Sequence, residues 1–118
     1  MWSSLQDFYA VGEVLLLDFP DTGSHEFRGR HPAIVLGDYG LPRVLTVVPV
    51  TTEPTAKGMP NTHRLFPSPK NKLQRECFAL VWHVTTIDAR RVKLHIGMLD
   101  TDDSKAIKAK LASYLKIE

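Results

Sequence analysis

Apolar residues recur along the chain in short runs, and the spacing within each run predicts its secondary structure. Six runs have the branched composition or the alternation that is typical of strands: Val11–Phe19, Pro32–Gly37, Val44–Val50, Thr62–Phe66, Cys77–Val84 and Val92–Ile96. Cys77–Val84 is apolar at nearly every position, which predicts a central strand buried on both faces. In the last run, Val92, Leu94 and Ile96 alternate with polar residues, which predicts one buried face. Because Pro49 has no amide hydrogen to donate, we expect the end of the third run at a sheet edge or a bulge.

Helical spacing of apolar residues occurs at the two ends of the chain. Within Met1–Ala10 it predicts one short helical turn. Near the C-terminus, the carboxylates of Asp100–Asp103 suit the start of a helix. The apolar residues that follow recur at i, i+4, i+7 and i+8, namely Ile107, Leu111, Tyr114 and Leu115. The pattern predicts an amphipathic C-terminal helix.

Five or six short strands followed by one helix predict a mainly β fold. In such a fold a small, strongly curved sheet or barrel packs against the helix. The chain of 118 residues has the length of a single domain, residues 1–118. Its composition, with 43% hydrophobic and 24% charged residues, excludes a disordered or a fibrous protein. The formal net charge of +2 permits a polyanionic partner without requiring one.

The chain has one cysteine and no segment of membrane length. Cys77 cannot form an internal disulfide, and it has no zinc-binding spacing with the histidines. No apolar run approaches the roughly 20 residues of a membrane helix. Met1–Ala10 has no basic region, so we expect no signal peptide. We predict a cytoplasmic protein with no metal, no cofactor and no membrane partner.

The polar loop after the first strand concentrates titratable side chains. Within seven positions it holds two histidines, one carboxylate and two arginines: His25, Glu26, Arg28, Arg30 and His31. These groups could supply the base, the acid and the cations that cleavage of a phosphodiester needs. The other interpretation is a solvated polar loop, and the residue types alone leave both open.

Two further pairs could contact a nucleic acid. Thr51 and Thr52 follow a buried strand, where hydroxyls and amides could bind phosphate, although an ordinary turn has the same composition. Trp82 and His83 are neighbours in a predicted strand, so we expect their side chains on opposite faces. An exposed Trp82 could stack on a base, whereas a buried one would belong to the core.

Five segments of the chain, in order, resemble the MazF/PemK/Kid family of toxin ribonucleases from bacterial toxin–antitoxin modules. They are Gly12–Phe19, Ser24–Ala33, Val47–Thr52, Thr86–Arg91 and Ile96–Leu99. The resemblance extends from about Gly12 to Leu115, and the sequence VVPVTT at Val47–Thr52 is its most characteristic part.

The resemblance implies an SH3-like barrel of five to seven strands with a C-terminal α-helix, acting as a homodimer. It also implies metal-independent cleavage of single-stranded RNA through attack of the ribose 2′-hydroxyl on the adjacent phosphate. An acidic antitoxin protein would occlude the RNA groove. His25, Glu26 and Thr51 fall on positions that match functional positions of the family.

Two departures from the family pattern shape the expected site. His31 stands where the family has an arginine before the proline, and Trp82–His83 replaces an Asp-Gln pair. We predict catalytic roles for His31, Arg30, Glu26, Thr51 and His83, and RNA contacts by His25, Arg28, Thr52 and Trp82. The alternatives are a catalytically impaired RNA- or protein-binding member of the same fold and a growth inhibitor that acts on DNA gyrase.

Overall fold

An antiparallel sheet forms most of the molecule, and one helix follows it. The computed structural model describes residues 6–21 and 28–117. Seven strands and one α-helix lie in this part of the chain: β1 Glu13–Phe19, β2 Gly29–Asp38, β3 Val44–Thr51, β4 Thr62–Leu65, β5 Cys77–Leu80, β6 Thr85–Asp88, β7 Val92–Met98 and α1 Thr101–Leu115. Three 3₁₀ turns lie at Pro54–Ala56, Val81–His83 and Ala89–Arg91. The predicted mainly β architecture with a C-terminal helix is confirmed.

Alternating residues of the central strands belong to two separate hydrophobic clusters. The strand order is β4-β5-β3-β2-β1-β7, and β6 pairs with β3 outside this path. One cluster takes Leu15 and Leu17 from β1, Ile87 from β6 and Val92 from β7. Since β6 and β7 both reach this cluster, the sheet curves around it. The second cluster takes Val14 from the other face of β1, and it packs beneath α1.

The predicted strand Cys77–Val84 is shorter than expected because β3 changes partners along its length. Val50 and Thr51 pair with β5, whereas Val44–Val47 pairs with β6. The chain crosses between these two pairings in the Val81–His83 turn, and β6 follows as a short strand that the sequence pattern did not predict. Pro49 pairs with Ala33 of β2, and on its other side it lies between the parts of β3 that pair with β5 and with β6, so its missing amide hydrogen falls at an irregularity of the sheet.

The alternation predicted for β7 is interrupted by irregular pairing with β1. Leu16 pairs with Leu94 and Leu17 pairs with Val92, so Lys93 is an extra residue between them. This bulge turns Leu94 away from the core, and Leu94 is 57% exposed although Val92 is buried. The prediction that both side chains share a buried face is wrong for Leu94.

Both ends of the described chain differ from their predicted helical pattern. Residues 6–10 of the predicted N-terminal turn are not helical, and the first five residues lie outside the described part. In α1, Ile107 is buried and Leu111 is partly buried. Tyr114 and Leu115 are exposed, because the helix packs on β4 and the Val81–His83 turn and its last turn has no core beneath it.

Gly97→Ala is expected to lower the free energy of unfolding by about 1–3 kcal/mol through overpacking. A Cβ at Gly97 would lie 2.5 Å from the carbonyl oxygen of Asn71, and the Met98 amide donates to the Lys70 carbonyl 3.0 Å away. Chemical denaturation measures the loss. Gly37→Ala is the matched control in β2, because a Cβ there meets no described atom within 4 Å. Equal losses in both variants would contradict the close approach at Gly97.

Candidate functional site

His31 lies near the beginning of β2, inside the sheet and not in the preceding loop. Strand β2 begins at Gly29, three residues before the predicted start, and His31 pairs with Leu17 of β1. The ring Nε2 lies 2.8 Å from the Arg28 carbonyl oxygen. Since a carbonyl only accepts, Nε2 carries the proton, and Nδ1 holds the basic lone pair of the neutral ring.

Partial burial of His31 favours its neutral form. The pKa of His31 is lowered from its ordinary value mainly by desolvation, and the hydrogen bond to the Arg28 carbonyl opposes this effect. Its ring centroid lies 6.3 Å from that of Phe19. At neutral pH the structure therefore offers a fixed, uncharged imidazole at this end of the sheet.

The arginines beside His31 are exposed, and Arg30 does not share its face of the sheet. Arg30 pairs with Asp18 of β1, and strand alternation places its side chain on the face opposite that of His31. Arg28 lies before β2, with its guanidinium 3.7 Å from the Asp21 carboxylate. The predicted residues His25 and Glu26 lie outside the described residues.

Thr51 and Thr52 lie at the end of β3, next to the beginning of β2. Ala33 pairs with Pro49 at the end of the β2–β3 ladder, and His31 and Thr51 each lie two residues beyond this pair. Thr51 is only 7% exposed, and its Oγ1 accepts a hydrogen bond from the Glu53 amide at 3.2 Å. The hydroxyl hydrogen of Thr51 remains a donor.

An apolar groove of about 470 Å³ opens next to these strand ends. Its floor is formed by apolar residues of β1, β2, β5, β7 and the segment before β5: Leu16, Pro32, Leu73, Cys77, Leu94 and Ile96. Thr52, Lys72, Gln74 and Arg75 supply its polar rim. Burial raises the pKa of the Cys77 thiol to about 11, so this group is a neutral part of the floor at pH 7 and not a nucleophile.

The groove contains residues that sequence analysis missed. Leu94 was expected in the core, and only the bulge in β7 turns it outward. Lys72 and Arg75 belong to a basic stretch that precedes β5, which is visible in the sequence. No periodicity ties that stretch to β1 or β2, so its position on the groove required the fold.

Trp82 and His83 lie in the 3₁₀ turn after β5, and the expectation that they occupy opposite faces of a strand is wrong. Their ring centroids are 5.0 Å apart. Phe78 pairs with Thr51, and the chain then runs along β5 away from Thr51 before it reaches this turn. The structure thus brings His31, Thr51 and Thr52 to one end of the sheet, and it places Trp82 and His83 further along β3.

A second pocket, which is polar, lies where Asp18 and Lys93 are near the turn after β6. Its lining residues are Asp18, Asp88, Arg90, Arg91 and Lys93. Hydrogen bonds from Arg90 lower the pKa of the Asp88 carboxyl to about 2. Arg91 donates to the backbone oxygen of Asp18 at 3.1 Å. These contacts join the end of β1 to the turn between β6 and β7.

The described residues contain neither a metal-binding cluster nor a membrane-spanning helix. Within residues 6–21 and 28–117, no group of three or more His, Cys, Asp or Glu side chains is arranged to hold a metal ion. The same part of the chain contains no helix long and apolar enough to span a membrane.

Comparison with known proteins identifies similar sequences and folds. A family model described as the PemK-like, MazF-like toxin of type II toxin–antitoxin systems matches residues 10–115. The crystal structure of MazF from Deinococcus radiodurans is 26% identical with a TM-score of 0.77, over 98% of this chain and 100% of that chain. A MazE–MazF crystal structure from the same organism is 25% identical with a TM-score of 0.72, over 92% and 96% of the two chains.

A more distant structure shares the fold. The Mycobacterium tuberculosis toxin MazF-mt6 is 16% identical with a TM-score of 0.69, over 90% of this chain and 98% of that chain. No curated protein matches the chain.

Proposed function

Because the chain belongs to the PemK-like, MazF-like toxin family of type II toxin–antitoxin systems, we propose that it is an endoribonuclease that cleaves single-stranded RNA. The observation that carries this proposal is His31, a neutral imidazole held by the Arg28 carbonyl next to the end of β3. His31 is only partly buried at the beginning of β2, so RNA in the cytoplasm can reach this base.

The proposed reaction needs only groups that the chain provides. His31 Nδ1 removes the proton from the ribose 2′-hydroxyl, whose oxygen attacks the adjacent phosphorus. The bond from phosphorus to the 5′-oxygen breaks, and that oxygen takes a proton from an acid. The products are a 2′,3′-cyclic phosphate and a 5′-hydroxyl. Metal-independent catalysis is part of this proposal.

The remaining predicted residues have separate roles in the proposed site. Arg28 is exposed and permanently charged, so it is the proposed cation that stabilises negative charge on the phosphoryl oxygens. Arg30, on the face opposite that of His31, is proposed to bind a neighbouring phosphate of the RNA. The Thr51 hydroxyl donates to a phosphoryl oxygen, and Thr52 binds RNA from the groove rim. Four further roles stay predictions: the acid is Glu26, His25 and Trp82 contact RNA, and His83 is catalytic.

Cleavage of a fluorescent single-stranded RNA by the purified protein, with and without EDTA, tests the proposal. The expected result is cleavage that EDTA does not abolish, with a 2′,3′-cyclic phosphate at the new end. RNA binding without cleavage would contradict the enzymatic proposal and favour the binding alternative. Intact RNA together with inhibition of DNA gyrase would favour the third alternative.

We also propose that two copies of the chain form a homodimer through the groove. Leu94 exposes apolar surface and lines the groove together with the partly buried Leu16 and Pro32, and apolar clusters of this kind mark interaction sites. A symmetric contact would bring two groove rims together into one RNA path. Light scattering measures the assembly state.

A second proposed partner is an acidic antitoxin protein. The similar MazF chain from Deinococcus radiodurans crystallised in a MazE–MazF complex, and the groove of this chain has exposed cations at its rim. An acidic, partly disordered segment that folds on binding would match this charge.

Antitoxin binding is expected to weaken at least about tenfold between 50 mM and 500 mM salt, because exposed charge pairs are screened. Titration of the antitoxin encoded by the neighbouring reading frame measures this change. Arg75→Ala should reduce the salt dependence, whereas Lys108→Ala on α1 is the control outside the groove. Binding that salt does not change would indicate an apolar contact and contradict the charge argument.

A further inference from the structure

The loop that follows Thr51 is attached to the rest of the molecule at few points. Within Thr52–Pro60, which the structure describes completely, Ala56 is the only buried residue. The backbone hydrogen bonds within the turns of this segment are local, such as the bond from the Lys57 amide to the Pro54 carbonyl. Contacts of Ala56 therefore determine where the middle of the loop lies.

Ala56 packs on a platform formed by Phe78, Leu80 and Trp82. Phe78 is the ladder partner of Thr51, so the platform is continuous with the strand end that carries the threonines. The Trp82 amide also donates to the Asn61 carbonyl at 3.3 Å, just beyond the loop. The residues around Trp82 thus hold the loop at its middle and at its far end.

The indole ring of Trp82 is held by packing. Its Nε1 atom is buried, and it has no hydrogen-bond partner among the described residues. A buried donor without a partner is unfavourable. The indole nitrogen therefore contributes nothing that would hold the ring in this place. Contact with the platform residues and with the His83 ring, 5.0 Å away, accounts for its position.

We propose that Trp82 is a positioning residue, which supports Ala56 and so fixes Thr51 and Thr52 at the groove. This role rests on the proposed RNA cleavage. Thr51 Oγ1 already accepts from Glu53 inside the loop, so movement of the loop would change the direction of that hydroxyl. Displacements of about 1 Å can cost about 10²-fold in rate when they misplace a reacting group.

Hydrogen exchange and steady-state kinetics on the full chain test this role together. In Trp82→Ala, the amides of Lys57 and Met59 should exchange at least about tenfold faster, and kcat should fall about 10- to 100-fold with KM changed less than about threefold. Ala56→Gly should show the same two effects while the fold is retained. Trp82→Phe keeps a ring on the platform and should restore the exchange rates and kcat. Met59→Ala, at an exposed loop position, is the matched control.

A double-mutant cycle separates positioning from direct stacking on RNA. If Trp82 acts through Ala56, the effects of Trp82→Ala and Ala56→Gly on kcat are not additive. A raised KM for Trp82→Ala with a silent Ala56→Gly would overturn the proposal in favour of base stacking. Unchanged exchange at Lys57 and Met59 would overturn it as well. The exchange measurement needs no RNA, so absence of cleavage by the wild-type protein would contradict the proposed function alone.

Discussion

Replacing His31 with alanine is expected to lower the rate of RNA cleavage about 10²- to 10⁴-fold, the usual contribution of a general base. The physical reason is that the variant loses the only basic nitrogen that the structure holds at the beginning of β2 among the described residues. The hydrogen bond from Nε2 to the Arg28 carbonyl fixes the ring. Single-turnover cleavage of a fluorescent RNA measures the change.

The pH profile of cleavage carries the signature of this base. Burial lowers the pKa of His31 from its ordinary value of about 6.5. The neutral, active form therefore prevails at pH 7, and the rate should fall as the pH drops through a pKa below about 6.5. His31→Ala should remove this acidic limb from the profile measured between pH 5 and 9.

His31→Arg separates a role for charge from a role in proton transfer. The variant restores the residue that the family resemblance expects before the proline, but arginine does not exchange protons near neutral pH. We expect it not to recover the wild-type rate. His63→Gln is the matched control, since His63 lies on β4 and contacts Asp103 of α1. Full activity and an unchanged pH profile in His31→Ala would contradict a catalytic role.

Much of the sheet could be predicted because its signals are local. Strand β1 and strand β3 follow branched apolar runs, and α1 follows a change to helical spacing. The boundary between β5 and β6 could not be predicted in this way. It depends on which part of β3 each strand pairs with, and that pairing joins residues far apart in the sequence.

The types of residue at the site were visible in the sequence, but their arrangement was not. The β2–β3 register brings the strand ends that carry His31 and Thr51 to the same end of the sheet, and no local pattern reports this register. The early start of β2 separates the faces of Arg30 and His31, although the sequence pattern placed both in a loop. The exposure of Leu94 also depends on strand pairing, because one extra residue in β7 turns Leu94 to the face opposite the one that the alternation of β7 predicts.

Leu94→Asp is expected to raise the dissociation constant of the proposed homodimer at least about 10²-fold. Leu94 is 57% exposed on the floor of the groove, so the aspartate is solvated in the free chain. In the dimer its carboxylate would be buried among apolar residues without a partner, at a cost of several kcal/mol. Each 1.4 kcal/mol changes the dissociation constant tenfold.

Light scattering over a range of protein concentrations measures the shift from about twice the 13.3 kDa chain mass to the chain mass itself. Leu41→Asp is the matched control, because Leu41 is 82% exposed in the turn between β2 and β3 and does not line the groove. RNA cleavage by Leu94→Asp should fall in parallel with dimer content and recover at high protein concentration, since both rims form the proposed RNA path. A wild-type chain that remains a monomer at micromolar concentration, or a Leu94→Asp dimer as tight as the wild type, would contradict an interface at the groove.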